Sequence, residues 1–220
     1  MPRISRNTDQ ALIRAALEMM PRTGLSGLRV RAVARRAGVN LGMFHYYFKT
    51  KREFNRRVLE QLYESFFAKL VTEVEAAGGE SPRERLRRAL ATVAIFARDR
   101  RELLLAIVKD VLEGNREVVA FLKKNVPRHM FVFIRLIRDC QKSGFIRRIP
   151  LATVLPILFG SIAAPVFAMA LMGRISSGGL LILPFRAIAR TVLSDRSVNE
   201  RVDYALNALS PRFSMKGGAA

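Results

Sequence analysis

Cysteine, histidine and tryptophan are nearly absent from this sequence. Among its 220 residues there is one cysteine, Cys140, there are two histidines, and there is no tryptophan. A single cysteine cannot form a disulfide within the chain, and two histidines are too few for the usual zinc-ligand spacings. The sequence therefore predicts a cytoplasmic protein that carries no metal and no cofactor. Because the chain has no second thiol, Cys140 is predicted to be buried and to fill space in the core, and a redox role stays an open alternative.

Motifs of the common enzyme classes are missing as well. The chain has no nucleophile elbow, no glycine-rich phosphate loop and no recognisable pair of carboxylates. The first residues, Met1 to Asp9, are polar and lack the apolar core of a signal peptide. No stretch alternates apolar and polar residues in the way that a half-buried strand does. We therefore predict an all-α protein that is not an enzyme.

Acidic residues are also few, with 18 of them against 38 lysines and arginines. The resulting net charge of +20 exceeds what solubility requires and indicates a polyanionic partner. Residues 1–57 contain 13 basic and 3 acidic residues, so about a quarter of the chain carries half of the net charge. The excess of arginine over lysine also fits a genome rich in G and C, which lessens the weight of the total. The polyanionic partner is expected at the N-terminal part.

Only one long segment lacks charge. From Ile149 to Gly173 no residue is charged, and this length is sufficient to span a bilayer. Three prolines and a run of small residues within the segment argue against a membrane span. A helix that is buried at a subunit interface has the same composition. We therefore predict an interface helix and no membrane partner, with the membrane span as the alternative.

Helix signals recur in the N-terminal part of the chain. Capping residues mark where helices begin, and glycines mark where they end. The signals predict three short helices and then a long one that starts near residue 50 and runs towards residue 77. In chain order they are Asn7 with Gln10, Gly24, Gly38, Asn40, and Thr50 with Glu53.

The remaining chain is predicted to be helical too. Ser81 begins a helix, and Asn115 and Gly144 bracket a further helical stretch, which Pro127 is expected to break or kink, giving two helices. The later predicted segments are an apolar helix over about 151–172, a Gly/Ser loop at 176–179, and amphipathic helices near 184–193 and 198–209.

The segment from Val30 to Phe48 has the form of a helix-turn-helix. Ala34 is small where two helices would cross, and Gly38 supplies the positive φ of the turn. Val39 would anchor the second helix to the first. The outward residues of this second helix lie at a helix start that can enter the major groove of DNA. They are Leu41, Gly42, Met43, His45 and Tyr46.

A helical hairpin in an ordinary core would have the same spacing, because helix-turn-helix patterns are weak. Charge favours the DNA-binding interpretation, since acidic residues are absent from Arg22 through Arg52. A rim of one sign suits a groove lined by phosphates. The basic residues around the two helices are Arg29, Arg31, Arg35, Arg36, Lys49, Lys51 and Arg52.

From Gln10 to Leu59 the sequence resembles the TetR/AcrR family of regulators. The resemblance implies a bacterial, nucleoid-associated homodimer whose two reading heads occupy successive major grooves of a palindromic operator, with a ligand pocket in a C-terminal helical domain. His45 and Leu28 depart from the family, which usually has tyrosine and threonine there. The matching features are Ala15 with Ala16, Gly24, Val30, the run AxxAGV from Ala34 to Val39, Gly42, and YYFKTK from Tyr46 to Lys51.

The resemblance also implies roles for single residues. Asn40 resembles the N-cap of the recognition helix, and Met43 and His45 fall where the family often contacts bases or phosphates. Tyr47–Phe48 resembles its pair of packing aromatics. Lys51 resembles the lysine at the start of the fourth helix, where the amine and the helix N-terminus jointly hold a phosphate. The residues predicted to contact DNA are Arg29, Arg31, Asn40, Leu41, Gly42, Met43, His45, Tyr46, Lys49 and Lys51.

The predicted organisation is a helix-turn-helix domain over residues 1–57, a larger helical ligand-binding and dimerisation domain over 58–210, and a disordered tail over 211–220. The long fourth helix, from about residue 50, links the two domains. The second domain has enough large apolar residues for a pocket that takes an apolar or amphipathic ligand, although a helical core needs such residues without any ligand. The pocket candidates are Phe96, Phe121, Met130 and Phe133.

A dimer interface is predicted in the apolar helix and in the amphipathic stripe of the last helix. Small residues in the apolar helix would let facing helices pack closely. The interface candidates are Leu155, Phe159, Ala163, Phe167, Val202 and Leu206.

Together these predictions describe a DNA-binding transcriptional regulator, and we expect a repressor that a small molecule releases from its operator. The expected partners are double-stranded operator DNA, a second copy of the chain and a small-molecule effector. The ligand would act by changing the distance between the two reading heads, which must be about 34 to 36 Å on DNA. The alternative is a DNA-binding protein of the same fold that has no small-molecule ligand and acts architecturally or through a protein partner.

Overall fold

The structure is a computed structural model that describes residues 7–176 and 185–211. Within these residues it contains ten α-helices and no strand, so the all-α prediction is confirmed. The predicted loop at 177–179 and the tail from residue 212 lie outside the described residues. The helices are α1 Thr8–Thr23, α2 Val30–Arg36, α3 Leu41–Tyr47, α4 Lys51–Ala76, α5 Pro82–Asp99, α6 Arg101–Leu112, α7 Arg116–Lys142, α8 Leu151–Ser176, α9 Phe185–Val192 and α10 Asp195–Ala208.

Several helices begin at the capping residues that the sequence indicates. The side chain of Asn40 accepts a hydrogen bond from the amide of Gly42, and the hydroxyl of Ser81 accepts one from the amide of Glu84. The first helix also begins next to its predicted cap, Asn7, but this side chain makes no capping hydrogen bond. The predicted starting position is therefore correct for all three helices, whereas the side-chain capping hydrogen bond is present in two of them.

The prediction that Pro127 separates two helices is wrong, since α7 runs without interruption from residue 116 to residue 142. A proline inside a helix removes one backbone donor. Tertiary contacts hold the helix on both sides of this position. Before the proline, the carbonyl of Asn125 accepts a hydrogen bond of 2.6 Å from the Tyr63 hydroxyl, and after it the side chain of Phe133 is completely buried.

The chain divides into two compact units that do not follow a single cut along the sequence. Unit 1 comprises residues 1–67 together with 102–127, and unit 2 comprises residues 68–101 together with 128–220. Unit 1 thus joins the predicted helix-turn-helix region to α6 and to the first part of α7. The predicted division at residue 57 is linear and does not include this association.

In unit 1, α1, α2 and α3 pack on one another. Ala34 is 2 % exposed, as expected of a small residue at a helix crossing, and Gly38 has the positive φ of 68° that the turn requires. The rings of Phe44, Phe48 and Phe54 form a closed triangle with centroid separations of 4.9 to 5.6 Å. This triangle fixes α3 against the start of α4.

In unit 2, the core lies between α5, α8 and α10. One side of α8 is buried at every third or fourth position, and α5 and α10 are joined at their surface by an ion pair of 2.9 Å between Arg87 and Asp203. The buried residues of α8 and α10 are Val154, Leu158, Ile162, Val166, Ala170, Val198, Val202 and Leu206.

The predicted interface helix is long and apolar enough to cross a membrane, judged by length and composition alone. Only 28 % of its most apolar window is buried inside the chain. Its other sides include exposed apolar residues such as Ile157, Leu171 and Ile175. An apolar surface of this kind is unusual on a monomeric protein.

Candidate nucleic-acid interface

The second helix of the helix-turn-helix, α3, presents a polar and aromatic side to solvent. Phe44 is 1 % exposed and points into the core, whereas Tyr46 is 67 % exposed. Gly42 and His45 are exposed as well, and Leu41, Met43 and Tyr47 are half-buried. The sequence prediction assigned Leu41 and Met43 to the outward side, and the structure places both at its edge. The fully exposed groups at this helix are therefore Asn40, Gly42, His45 and Tyr46.

The start of α3 is fixed by its cap. The Asn40 side-chain oxygen accepts a hydrogen bond of 2.8 Å from the amide of Gly42. This bond satisfies one of the amides that a helix start leaves unpaired. The amide of Met43 donates to the Asn40 carbonyl at 3.0 Å, so two hydrogen bonds to Asn40 fix the first turn of α3.

Among the residues that the structure describes, none requires a glycine at position 42. A Cβ built there would meet only the Asn40 side-chain oxygen, at 3.5 Å, which is an ordinary contact. In a helix, glycine is less favourable than alanine by about 1 kcal/mol. Glycine is the residue expected where another molecule approaches the backbone closely, because it has no side chain. The missing side chain at Gly42 therefore leaves the backbone open at the start of α3.

Basic residues surround this helix and leave their charges available. Arg29 and Arg31, at the start of α2, and Lys49, after α3, are exposed. None of the three forms an ion pair with any residue that the structure describes. By contrast, Arg36 is bound through two hydrogen bonds to Glu18. The sequence grouped all four, and the structure separates the engaged Arg36 from the three available cations.

Lys51 occupies the first position of α4 and is exposed. Its ammonium nitrogen donates to the carbonyl of Ser26 at 3.3 Å, and an ammonium group retains two further donors. The Thr50 hydroxyl accepts from the amide of Glu53 at 3.0 Å, so the predicted capping interaction is present. The Glu53 carboxylate accepts a hydrogen bond of 3.2 Å from the amide of Lys49 rather than from the amide of Thr50. The start of α4 is thus held in place with its lysine facing solvent.

A residue that the sequence reasoning missed joins this region to α6. Asp110 is 2 % exposed, and its carboxylate accepts hydrogen bonds from the amide of Leu25 at 2.6 Å and from the hydroxyl of Ser26 at 2.7 Å. The Ser26 hydroxyl in turn accepts from the side chain of Asn115 at 2.8 Å. The loop between α1 and α2 is therefore tied to α6 by a buried carboxylate.

A signal for Asp110 exists in the sequence. In α6 the buried positions follow the helical spacing 103, 106, 107 and 110, and the last of them is an aspartate. A carboxylate is almost never fully buried unless it has partners. A lone acid on an apolar stripe therefore predicts a buried hydrogen-bonding site, although the sequence does not say where the donors lie.

An open groove of about 750 Å³ lies between α1 and α2. Three arginines and one glutamate form much of its wall, so it is not the apolar ligand pocket that the sequence predicts. Its lining residues are Glu18, Met19, Pro21, Arg22, Thr23, Ala32, Arg35 and Arg36.

The residues predicted to line a ligand pocket are divided between the two units. Phe121 belongs to unit 1, where its ring lies 6.0 Å from that of Tyr63. Phe96, Met130 and Phe133 belong to unit 2. Phe96, Phe121 and Met130 are half-buried, whereas Phe133 is completely buried.

The predicted interface residues fall into two groups. Val202 and Leu206 are at most 2 % exposed and belong to the core of unit 2, so they are not available as a surface. Residues 155, 159, 163 and 167 of α8 are half-buried, on the flank of its buried side. The ring of Phe159 lies 4.9 Å from that of Phe133, which joins a predicted interface residue to a predicted pocket residue within one core.

Comparison with known proteins identifies the kind of N-terminal region that this chain has. Residues 12–58 match the family model described as bacterial regulatory proteins, tetR family. The probable HTH-type transcriptional regulator YttP of Bacillus subtilis is 22 % identical over 145 residues, which are 66 % of this chain and 70 % of YttP. The transcriptional regulator AcuR of Cereibacter sphaeroides is 36 % identical over 78 residues, 36 % of this chain and 35 % of AcuR.

Solved structures share the fold over nearly the whole chain. The transcriptional regulator FadR from Bacillus subtilis, in complex with stearoyl-CoA, superposes with a TM-score of 0.66 at 14 % identity. The match covers 93 % of this chain and 99 % of FadR. The helix-turn-helix followed by a larger helical region is therefore an arrangement already seen in regulators.

Proposed function

Because this chain is a member of the tetR family of bacterial regulatory proteins, we propose that it is a cytoplasmic, homodimeric repressor that leaves a palindromic operator when a small apolar or amphipathic ligand binds. The observation that carries the proposal is the start of α3. It is capped and exposed, and a Cβ at its glycine would meet only the side chain of Asn40 among the described residues. The curated relatives are transcriptional regulators, so the function proposed is binding rather than catalysis.

The exposed groups divide between two tasks in DNA recognition. His45 and Tyr46 offer ring nitrogens and a hydroxyl, which can read base edges in a major groove. The three available cations, Arg29, Arg31 and Lys49, can bind phosphates and fix the register of α3 in the groove. Sequence preference would then depend on α3, whereas salt dependence would depend on the cations.

Selection of bound duplexes from a random pool, at two salt concentrations, tests this function. A tetR-family repressor is expected to enrich a palindrome whose half-sites lie one helical turn apart. The variant H45A/Y46A is expected to lose the enriched sequence, and R196Q, which removes a charge on α10, serves as the control. Binding that decreases with salt and enriches no sequence would contradict the proposal, because a net charge of +20 alone causes such binding.

The surface proposed for the dimer lies on the exposed side of α8. Gly160, Ala164 and Ala168 are exposed and follow one another at every fourth position. A Cβ at Gly160 would meet nothing within 4 Å, so the chain itself leaves room there for a partner helix. Small residues at this spacing allow close helix packing. We place the interface on this row and on the large apolar residues beside it, Ile157, Leu171 and Ile175.

A second copy of the chain is the occupant that fits this surface. In a two-fold dimer the row would face its own counterpart, so small residues would meet small residues. Tyr204 of α10 is 69 % exposed, and α10 packs on α8, which extends the available surface. The half-buried Leu155, Phe159, Ala163 and Phe167 flank the row, and we propose that they support it rather than form its centre.

The proposed ligand is apolar or amphipathic. Stearoyl-CoA is bound by the structural neighbour FadR, and this chain has aromatic side chains suited to an acyl group. In unit 1, the ring of Tyr63 is stacked on that of Phe67 at 5.8 Å and lies edge-on to Phe121. Stearoyl-CoA is therefore the first probe. An increase in thermal midpoint together with release of the selected operator would support the ligand-released repressor.

Control by a protein partner, or architectural action without a ligand, is the second candidate. The complete burial of Phe133 against Phe159 favours it, because a filled core leaves less space for an effector. Under this alternative, acyl-CoA probes of several chain lengths would leave both the thermal midpoint and operator binding unchanged. The F133A variant provides a control, since an opened core would then bind the probe.

A further inference from the structure

Half of the net charge lies outside residues 1–57, and part of it forms a row on α7. Phe131, Arg135, Arg138 and Lys142 are all exposed. At 3.6 residues per turn, the four positions lie within an arc of about 60° on one side of the helix. The three cations extend over about 10 Å along the helix axis. These four residues are called the α7 face below.

The opposite side of this part of α7 belongs to the core of unit 2. Phe133 and Ile137 have no exposed surface, Leu136 is 2 % exposed, and Cys140 has no exposed surface. Burial of this side fixes the rotation of the helix about its axis. The α7 face therefore lies on the surface of unit 2.

The cations of the α7 face are not engaged within the chain. Among the residues that the structure describes, no carboxylate pairs with Arg135, Arg138 or Lys142. Elsewhere in unit 2 the usual arrangement is the reverse, since Arg87 pairs with Asp203 and Arg98 pairs with Asp195. Three unpaired like charges on one helix repel each other and gain from an anionic partner.

Exposed positive charge continues beyond the end of the helix. The side chain of Gln141 donates to the carbonyls of Arg147 and Ile149, at 3.1 and 2.8 Å. These bonds hold the segment that contains Arg148 against the last turn of α7. Arg148 is exposed and has no ion-pair partner among the described residues. The acid nearest to Arg138 in sequence, Asp139, is half-buried and lies about 70° around the helix from the centre of the face.

Two partners fit this surface poorly. A second copy of the same face would bring like charges together, which is unfavourable. A membrane-surface helix inserts a broad apolar side into the lipid, but the side of α7 opposite the α7 face is buried and Phe131 is the one apolar residue among the four of the face. A phosphate backbone needs neither self-complementarity nor apolar area. It offers about one negative charge per 1.7 Å of duplex.

We propose that the α7 face binds the phosphate backbone of a DNA duplex without regard to sequence, as a second DNA contact in addition to the helix-turn-helix. The inference goes beyond the proposed function and rests on it in one respect, because the helix-turn-helix is the first of the two DNA contacts; it needs neither an operator sequence nor an effector. A protein with both contacts can hold two duplex segments at once.

Salt dependence of binding to a duplex of mixed sequence tests the proposal. Each phosphate contact contributes about 0.9 to the slope of log affinity against log salt. In the intact protein, R135Q/R138Q/K142Q is expected to lower this slope by about 2.7 per protomer that contacts DNA. The matched control, K69Q/R190Q/R196Q, removes three exposed cations from three other helices and is expected to change the slope by less than about 1. Equal slopes in the two variants would overturn the proposal.

A bridging measurement separates this contact from the helix-turn-helix. One duplex is fixed to beads and a second, labelled duplex is captured through the protein. The α7-face variant is expected to bind the beads and to lose at least half of the captured duplex, whereas the control variant retains it. Unchanged capture would overturn the proposal. Failure of the proposed function would instead leave capture intact and enrich no operator sequence.

Binding to phosphatidylglycerol vesicles tests a membrane as the alternative partner. The F131A variant distinguishes a membrane from a DNA duplex. If the α7 face binds duplex, F131A leaves the salt slope unchanged. Vesicle binding that is lost in F131A, together with an unchanged slope in the α7-face variant, would replace the DNA partner by a membrane. All the substituted cations are exposed, so an unchanged thermal midpoint is expected and confirms that each variant is folded.

Discussion

The amide of Leu25 donates a hydrogen bond of 2.6 Å to the carboxylate of Asp110, a residue 85 positions away in the chain. Both residues are buried, so the bond is shielded from water. Through it, the loop that precedes the helix-turn-helix is attached to α6. Changes in α6 therefore have a direct physical route to the helices that are proposed to contact DNA.

Replacement of Asp110 by alanine is expected to weaken unit 1 strongly. The change leaves the amides of Leu25 and Ser26 and the hydroxyl of Ser26 without their acceptor. A charged hydrogen bond and a buried unsatisfied donor together correspond to about 3 kcal/mol of unfolding free energy. Urea denaturation measures this loss. E113Q, an exposed carboxylate just after the same helix, is the control and is expected to cost about 0.5 kcal/mol or less. Equal stability of the two variants would show that the Asp110 contact contributes little.

Gly42→Ala is expected to separate folding from DNA binding. A Cβ at this position has room and favours the helix, so the thermal midpoint should stay the same or rise slightly. Operator affinity should decrease roughly tenfold, which corresponds to about 1.4 kcal/mol, because the added methyl group blocks close approach of the backbone. The affinity is measured with the selected operator. G79A, a glycine in the α4–α5 loop, should leave it unchanged, and full affinity of G42A would argue against close approach.

Lys49→Gln is expected to change the salt dependence of operator binding without changing the selected sequence. A phosphate contact contributes about 0.9 to the salt slope and carries no sequence information. The slope is measured by titration at several salt concentrations. The effect is attributed to position 49 if K69Q, an exposed lysine later in α4, leaves the slope as it is. A new preferred sequence in K49Q would mean that Lys49 reads a base.

The dimer proposal predicts that Ala164→Glu gives monomers. Residue 164 is exposed in the row of small residues on α8, and a carboxylate there would be buried without a partner in the dimer. Light scattering at micromolar concentration measures the mass. T72E, at an exposed position of α4, should remain dimeric. A wild-type protein that is itself monomeric at this concentration would contradict the proposal.

Cys140 is expected to be unreactive in the folded protein. Burial raises the pKa of its thiol from 9.0 to about 12, and the thiol donates to the carbonyl of Pro82 at 3.1 Å. The neutral thiol is therefore the form that the fold stabilises. This contribution is complete below pH 9 and is lost as the pH rises from 9 towards 12.

A thiol reagent at pH 8 tests this expectation. Labelling should be slow in buffer and fast in concentrated urea, and peroxide should leave operator binding unchanged, because the thiolate is the reactive species. Rapid labelling of the folded protein would reopen a redox role for Cys140.

The helix starts and the helix-turn-helix were predictable because they depend on local chemistry. Asn40 caps α3 and Gly38 adopts a positive φ whatever the rest of the chain does. The interruption at Pro127 was predicted wrongly because contacts from distant residues, such as that of Tyr63, support the helix there. Local propensity gives way when tertiary contacts compensate for it.

Surface and core could not be separated on α8 and α10 for a related reason. Both sides of α8 are apolar, so the sequence does not show which side faces the core. Val202 and Leu206 were assigned to an interface because their stripe is apolar, and they are buried instead against α8 and α5. The hydrogen bonds of Asp110 were not predicted for another reason, because their donors lie more than eighty residues away in the chain.

The loop that Asp110 holds also restricts how this protein can change by mutation. Gly24 has a φ of 66°, and a Cβ there would lie 3.0 Å from both carboxylate oxygens of Asp110. A Cβ at Gly27 would lie 2.3 Å from the carbonyl of Thr23. Substitution at either glycine therefore forces the loop to move, and at position 24 the positive φ strains any larger residue even if position 110 becomes smaller. In a genetic selection for altered regulators, position 24 is therefore expected to remain glycine, so single-step variation has little access to this loop.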